Sequence, residues 1–350
     1  MNQAARMRPH TLTVIFILHC ISFFGQTNDI QPDKIIKAHP FKIMYLDFSS
    51  DGKYLVSCGW DNTIRIWDME NFTETKTLKG HSDVVWTSVI SNDDHFLVSG
   101  SQDASFILWD FKSGDLLKKV SHFPRKAKVY LDKPDGSYYT WSNAVYGLAF
   151  SNDNKTVAAG FAEGKIRIYE LDSLRLLHTL EGHNSIVINI VFSKDDEIMV
   201  SSAIGKELII WDTNTCEPLH ILKGDNVYTC QFLKNEKYIL SAGKCTVEIY
   251  DVTTGDKIRS FPVQCGIQNA QLFANDKYLA TCGEDHTARL YDFETGKEIW
   301  RYTNPKPEVG YCIISPDEKY FVVGVPEGDI LIWNLNELIQ KVKSVSSQAE

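Results

Sequence analysis

The chain has 350 residues, 43% of them apolar and 12% aromatic, enough to bury a large core and, by length alone, to form about two ordinary domains. Lysine and arginine total 36 against 45 acidic residues. That balance excludes nucleic acid as a natural partner, because phosphate binding draws on clustered Lys and Arg.

The first 25 residues, MNQAARMRPHTLTVIFILHCISFFG, differ in character from everything after them. Arg6 and Arg8 precede an apolar run from Thr11 to Phe24, too short to span a bilayer, which takes about 20 residues, but suited to the hydrophobic region of a secretory signal. Cleavage is expected close to Gly25, leaving Gln26 first and no membrane span in the mature chain. An uncleaved anchor and a buried N-terminal strand are the alternatives. His19 stands before Cys20, where a lipoprotein signal would need a small side chain. Residues 26–32 read as a short linker.

From residue 33 the chain repeats itself. Seven strand-like segments, TIRIWD, SFILWD, KIRIYE, ELIIWD, TVEIYD, TARLYD and DILIWN, are anchored on Trp67, Trp109, Tyr169, Trp211, Tyr250, Tyr291 and Trp333. The intervals are 42, 60, 42, 39, 41 and 42 residues, so one period is longer than the rest. Within each period, alternating apolar segments are broken by Gly, Asn, Asp and Ser, the pattern of strands and hairpins. Four-stranded units of this size cannot each bury two sheet faces alone, so they must stack, and a closed ring removes the ends of the stack. After Asn334 no strand pattern follows; DKIIKAH at 33–39 resembles TLKGH and supplies the missing outer strand of the last unit. Leu335, Leu338, Ile339 and Val342 fall at helical spacing, so 335–350 should hold a short helix and a disordered tail.

These residues resemble the WD-repeat (beta-transducin-like) β-propeller family. The marks are Gly80–His81, Gly182–His183, the turn SSDG at 49–52, and Trp-Asp at 67–68, 109–110 and 211–212. The resemblance covers 33–334 and implies an all-β, seven-bladed propeller closed by an N-terminal outer strand. It also implies a buried network of His, Ser or Thr, Asp and Trp in each blade. His39, Ser57, Asp61 and Trp67 match it in the first repeat, and His81, Ser99, Asp103 and Trp109 in the second. Repeat four has Gly205 at the Asp position, and repeat six has Thr281, Asp285 and Tyr291 without the His. Repeats three and five to seven should therefore rely more on apolar packing.

No zinc-type spacing of Cys and His, nucleophile motif or phosphate-cradling loop is present, so no catalytic residue, metal or cofactor is expected. Cys58 with Cys282, and Cys230 with Cys312, recur at equivalent places, as small packing residues do. Cys245 and Cys265 fall in loops expected on one face, which leaves a bridge between them open.

Function must then come from a surface. The resemblance places the loops before the inner strands, and the tight turns, on one face around a central channel. Two sets of residues should look out from it: Met44, Trp86, Tyr146, Ile188, Tyr228, Asn269 and Gly310, and Trp60, Gln102, Ala162, Ile204, Lys244, Glu284 and Pro326. Trp60, Trp86, Tyr146 and Tyr228 form an aromatic arc of candidate partner-binding residues. The long interval adds KAKVYLDKPDGSYYTW, expected to form a β-hairpin over 124–141 beside the channel, with KPDG as its turn. Its Lys126, Lys128, Tyr130, Tyr138 and Tyr139 make a basic, aromatic patch suited to steering an acidic partner. The expected function is a non-enzymatic scaffold that binds protein or peptide partners through this face, monomeric by itself and exported to the periplasm or the extracellular space. An exported enzyme or carbohydrate-binding propeller is one alternative, and a cytoplasmic scaffold, if the leader is not a signal, is the other.

Overall fold

The computed structural model describes residues 30–121, 128–130, 139–141, 143–205, 207–224, 227–306 and 309–346. The expected signal at 1–25, most of the linker and the end of the tail lie outside the described residues. So do Lys126 and Tyr138, and so do the side chains of Lys128, Tyr130 and Tyr139.

Each repeat folds into one antiparallel sheet of four strands, and seven such sheets are present. In the first, Ile43–Phe48 is the inner strand, followed outward by Tyr54–Gly59, Thr63–Asp68 and Thr73–Lys79. The middle strands are buried on both faces because neighbouring sheets pack on both sides. Val56, Cys58, Ile64 and Ile66 of the first sheet meet Leu97, Ile107 and Trp109 of the second in one apolar cluster. This is why the middle strands read as nearly continuous apolar runs, whereas the outer strands keep one wet face.

The ring closes as the sequence predicts. Lys34–Lys37 pairs antiparallel with Asp329–Asn334, with Ile36 opposite Ile330, and completes the seventh sheet. A helix follows at Leu335–Ser346. Asn334 caps it by accepting from Glu337 N at 3.2 Å. Leu335, Leu338 and Val342 are buried against the sixth and seventh sheets.

A second ring of bonds runs through the turns on the face opposite the tight turns. The second turn residue of one sheet donates its N–H to a carboxylate or amide oxygen from the next: Ser50 to Asp94, Asn92 to Asn154, Asn152 to Asp196, Lys194 to Glu236, Lys234 to Asp276, and Ala274 to Glu318. At the closure between the seventh and first sheets both halves are missing. Pro316 has no N–H to give, and Gly52, at φ 70°, stands where the acceptor would be. A Cβ on Gly52 would approach the Asp317 carboxyl carbon to 3.3 Å. The seam is held instead by apolar packing of Ile43, Leu46 and Phe48 on Val322, Ile330 and Ile332.

Of the expected hairpin two short strands are described, and its KPDG turn lies outside the described residues. Lys128–Tyr130 pairs with Tyr139–Trp141, Lys128 opposite Trp141 and Tyr130 opposite Tyr139, as a separate two-stranded sheet.

Candidate partner-binding face

The structural network explains the spacing of its members. Trp109 Nε1 donates to Ser99 Oγ at 2.9 Å, Ser99 Oγ lies 2.8 Å from His81 Nε2, and His81 Nδ1 lies 3.2 Å from Asp103 Oδ2. With the proton on Nδ1, every group in the chain has a partner. His39, Ser57, Asp61 and Trp67 repeat it, at 2.9 Å from Trp67 to Ser57, 2.8 Å from Ser57 to His39 and 3.0 Å from His39 to Asp61. Burial pushes the Asp61 carboxyl up, but its bonds to His39 and Thr63 outweigh that and hold it at about 2. Glycine precedes His81 and His183 because the tryptophan lies against its Cα. A Cβ would come within 2.8 Å of the Trp109 ring at Gly80 and 2.9 Å of the Trp211 ring at Gly182.

Two of the repeats that depart from this pattern find substitutes, and a third does not. In the sixth, Gln264 takes the place of the histidine, its Oε1 accepting from Thr281 Oγ1 at 2.6 Å and from the Tyr291 hydroxyl at 3.1 Å. In the fifth, Tyr250 donates to the buried Glu248 at 2.8 Å, and Lys257 does so at 2.8 Å. Repeats five and six thus have polar pairs of their own beside the apolar packing expected of them. In the fourth, His183 keeps Ser201 at 2.7 Å, but its Nδ1 lies 3.8 Å from Glu207, beyond hydrogen-bond reach. Burial holds the His183 imidazole down at about 4.

The face that bears the tight turns and the loops before the inner strands carries the candidate site. In five sheets the ladder between the first two strands slips by one residue, which makes Met44, Trp86, Tyr146, Ile188 and Gln268 the extra residues of a bulge. A bulge re-aims the extra side chain. All five line a cavity of about 170 Å³ on the ring axis, to which every blade contributes. Tyr228, Asn269 and Gly310 line it too, so the whole first set of expected residues converges there. One register is corrected: in the sixth blade the bulged residue is Gln268, not Asn269.

The second set does not converge. Only Ile204 of that set reaches the cavity. Gln102 and Ala162 are buried, while Trp60, Lys244 and Glu284 are exposed. The aromatic arc is accordingly split. Trp86 stacks on Tyr146 with 4.6 Å between ring centroids, and its Nε1 donates to Gln102 Oε1 at 2.9 Å. Tyr146 is itself buried and donates to the same oxygen at 3.3 Å, so it serves as a backing for Trp86 more than as an exposed anchor. Trp60, 45% exposed, stands outside the cavity. Sequence reasoning passed over Tyr45, Tyr311 and Gln268, which also line the cavity.

A model of the WD domain, G-beta repeat, matches residues 30–68, and one of the Nucleolar protein 10-like N-terminal domain, a β-propeller, matches residues 55–293. The chain belongs to the WD-repeat β-propeller family. Among relatives, the serine-threonine kinase receptor-associated protein of Dictyostelium discoideum is 24% identical over 304 residues, 85% of this chain and 97% of its own. Its counterpart in Gallus gallus is 27% identical over 95 residues, 27% of each chain. Transducin beta-like protein 2 of Homo sapiens is 49% identical over 39 residues, 11% of this chain and 9% of its own. WD-repeat relatives of this kind fit a protein-interaction scaffold.

On this WD-repeat propeller the two cysteines left open by the sequence are joined. Cys245, in the tight turn of the fifth blade, is bridged to Cys265, in the loop leading to the sixth, across 20 residues. Cys58, Cys230, Cys282 and Cys312 are free and buried, as packing residues. Opening the bridge by Cys265→Ser should lower stability by about 3 kcal/mol, the value for a loop of this length. Denaturant melts of wild type and variant, with and without reductant, check it: reductant should bring the wild type down to the variant.

Proposed function

We propose that the chain is a non-enzymatic scaffold that binds a protein or peptide through the cavity at the channel mouth, with the hairpin over 124–141 as a second contact. One observation carries this reading: side chains from all seven blades are turned into a single aromatic-walled cavity. Packing within each blade does not require that. The cavity is about the size that holds one ring or one aliphatic side chain, and rigid aromatics with polar tips are the usual anchors of interfaces. The first relative's name links that protein to a receptor kinase, which supports a protein partner here. The basic residues of the hairpin favour a partner with an acidic patch beside its anchor.

The same reading takes 1–25 as an export signal, so that the mature scaffold works outside the cytoplasm. The Cys245–Cys265 bridge supports this, because such bridges persist in oxidising compartments. Affinity capture from the cells that make the chain tests the whole. The expected result is a partner held by the full propeller and lost or weakened when 124–141 is deleted. A mature N-terminus at Met1 in the cytosol, with Cys245 and Cys265 open to thiol labelling, would sink the export part.

A further inference from the structure

We propose that the channel receives a cationic side chain of the partner, lysine or arginine, with Asp47 as its counter-charge. The proposal rests on the channel-mouth reading and names the chemistry of the group that enters.

Asp47 lies on the inner strand of the first blade, opposite Val56. Its Oδ1 accepts from Phe48 N at 2.9 Å and its Oδ2 from Ile90 N at 2.8 Å. Ile90 ends the inner strand of the second blade, whose free edge has no ladder partner and faces the channel. Asp47 thus bridges two blades at the channel wall by satisfying an edge N–H. Gln231 and Gln271 hold the same place in the fifth and sixth blades, accepting from Leu272 N at 3.0 Å and from Ile314 N at 2.7 Å. A neutral amide therefore suffices for the bridge. The carboxylate in the first blade adds a charge that the fold does not need.

That charge is unbalanced within the protein. The titratable groups facing it are Tyr45, Tyr311, Cys58 and Asp94, none of them a cation; Lys42, just before the same strand, lines the cavity but stands five residues from Asp47. Among the described residues Asp47 makes no ion pair. Burial pushes its carboxyl up to about 7 in spite of the Ile90 and Phe48 N–H groups. Keeping a half-buried carboxylate without a cation is costly, and a cationic ligand removes that cost. The route to it is aromatic. Tyr45 and Tyr311, 4.4 Å apart between centroids, line the cavity together with Trp86, and ring faces attract a cation. Asp47 lies two residues further down the strand, about 7 Å, within reach of a long side chain entering at the mouth.

The test uses the whole propeller and two probes of one shape, N-acetyl-arginine amide and its neutral isostere N-acetyl-citrulline amide, titrated by NMR. The arginine probe should bind about tenfold more tightly or better. Its affinity should fall between pH 8 and 6 as Asp47 takes up a proton. Asp47→Asn should abolish both the preference and the pH dependence while melting near wild type. Asp47→Gln, the residue of the fifth and sixth blades, stands in should the first variant not fold. Equal binding of the two probes, binding of neither, or an undiminished preference in the variants overturns the proposal. Partner capture separates it from the broader reading: loss on Trp86→Ala with full binding by Asp47→Asn keeps the channel mouth and rejects the cation.

Discussion

Trp109→Ala is expected to destabilise the propeller by about 3–5 kcal/mol, the range for a large buried aromatic. Trp109 is 2% exposed and lies between two blades, in one cluster with Ile64, Ile66 and Leu97. Its removal empties space that the rigid sheets on either side cannot close, and it takes the donor from Ser99. Trp109→Phe retains most of the bulk and loses only the N–H, so it should cost about 1–2 kcal/mol. Ser99→Ala should cost more than Trp109→Phe, because it orphans both His81 Nε2 and Trp109 Nε1. In the double variant Ser99→Ala with Trp109→Phe the effects should fall short of their sum, since the second change removes a group already unpaired. Denaturant midpoints at constant slope check all four. Equal losses for Trp109→Ala and Trp109→Phe would show that volume matters little there, against the packing described.

Trp86→Ala should weaken partner binding by about 2 kcal/mol or more, roughly 30-fold, with little loss of fold stability. Trp86 is the half-buried anchor of the cavity, held in place by the Tyr146 ring beneath it and by Gln102 at its indole nitrogen. Trp60→Ala is the informative comparison, because Trp60 is the more exposed of the two and stands outside the cavity. It should change binding by a few tenths of a kcal/mol. A larger loss from Trp60 than from Trp86, measured by titration of the captured partner, would move the site from the channel mouth to the rim. Gln102→Leu should act in the direction of Trp86→Ala but more weakly, since it frees the indole without removing it.

Much of the fold was legible because its signals are local and repeated. Seven aromatic anchors at near-constant spacing fixed the number of blades, and the likeness of 33–39 to an outer strand placed the ring closure at Lys34–Lys37. The networks of the first two blades were readable for the same reason: His, Ser, Asp and Trp recur at fixed distances along the chain. The candidate site was legible only in outline. Its residues were marked by their place after the recurrent valine, but Gln268 was missed, because Phe273 reads as the counterpart of Phe48, whereas it is Leu272 that pairs with Leu279 as Phe48 pairs with Leu55. Gln264 was missed as a stand-in for histidine because nothing in its neighbours distinguishes a glutamine that accepts two hydroxyl bonds from one in a loop.

By itself, then, the sequence determined an all-β ring of seven blades, the place of its closing strand and terminal helix, and the position of the added hairpin. Strand periodicity and turn chemistry act over a few residues and so survive being read in one dimension. Only the tertiary structure decided which outward-facing residues meet. It turned the bulged residues into one cavity, left Trp60 outside it, joined Cys245 to Cys265, and set Asp47 against a neighbouring blade with no cation beside it. Those outcomes depend on distances between blades, which are fixed by the packing of whole sheets around a closed ring and leave no mark in any one segment of the chain.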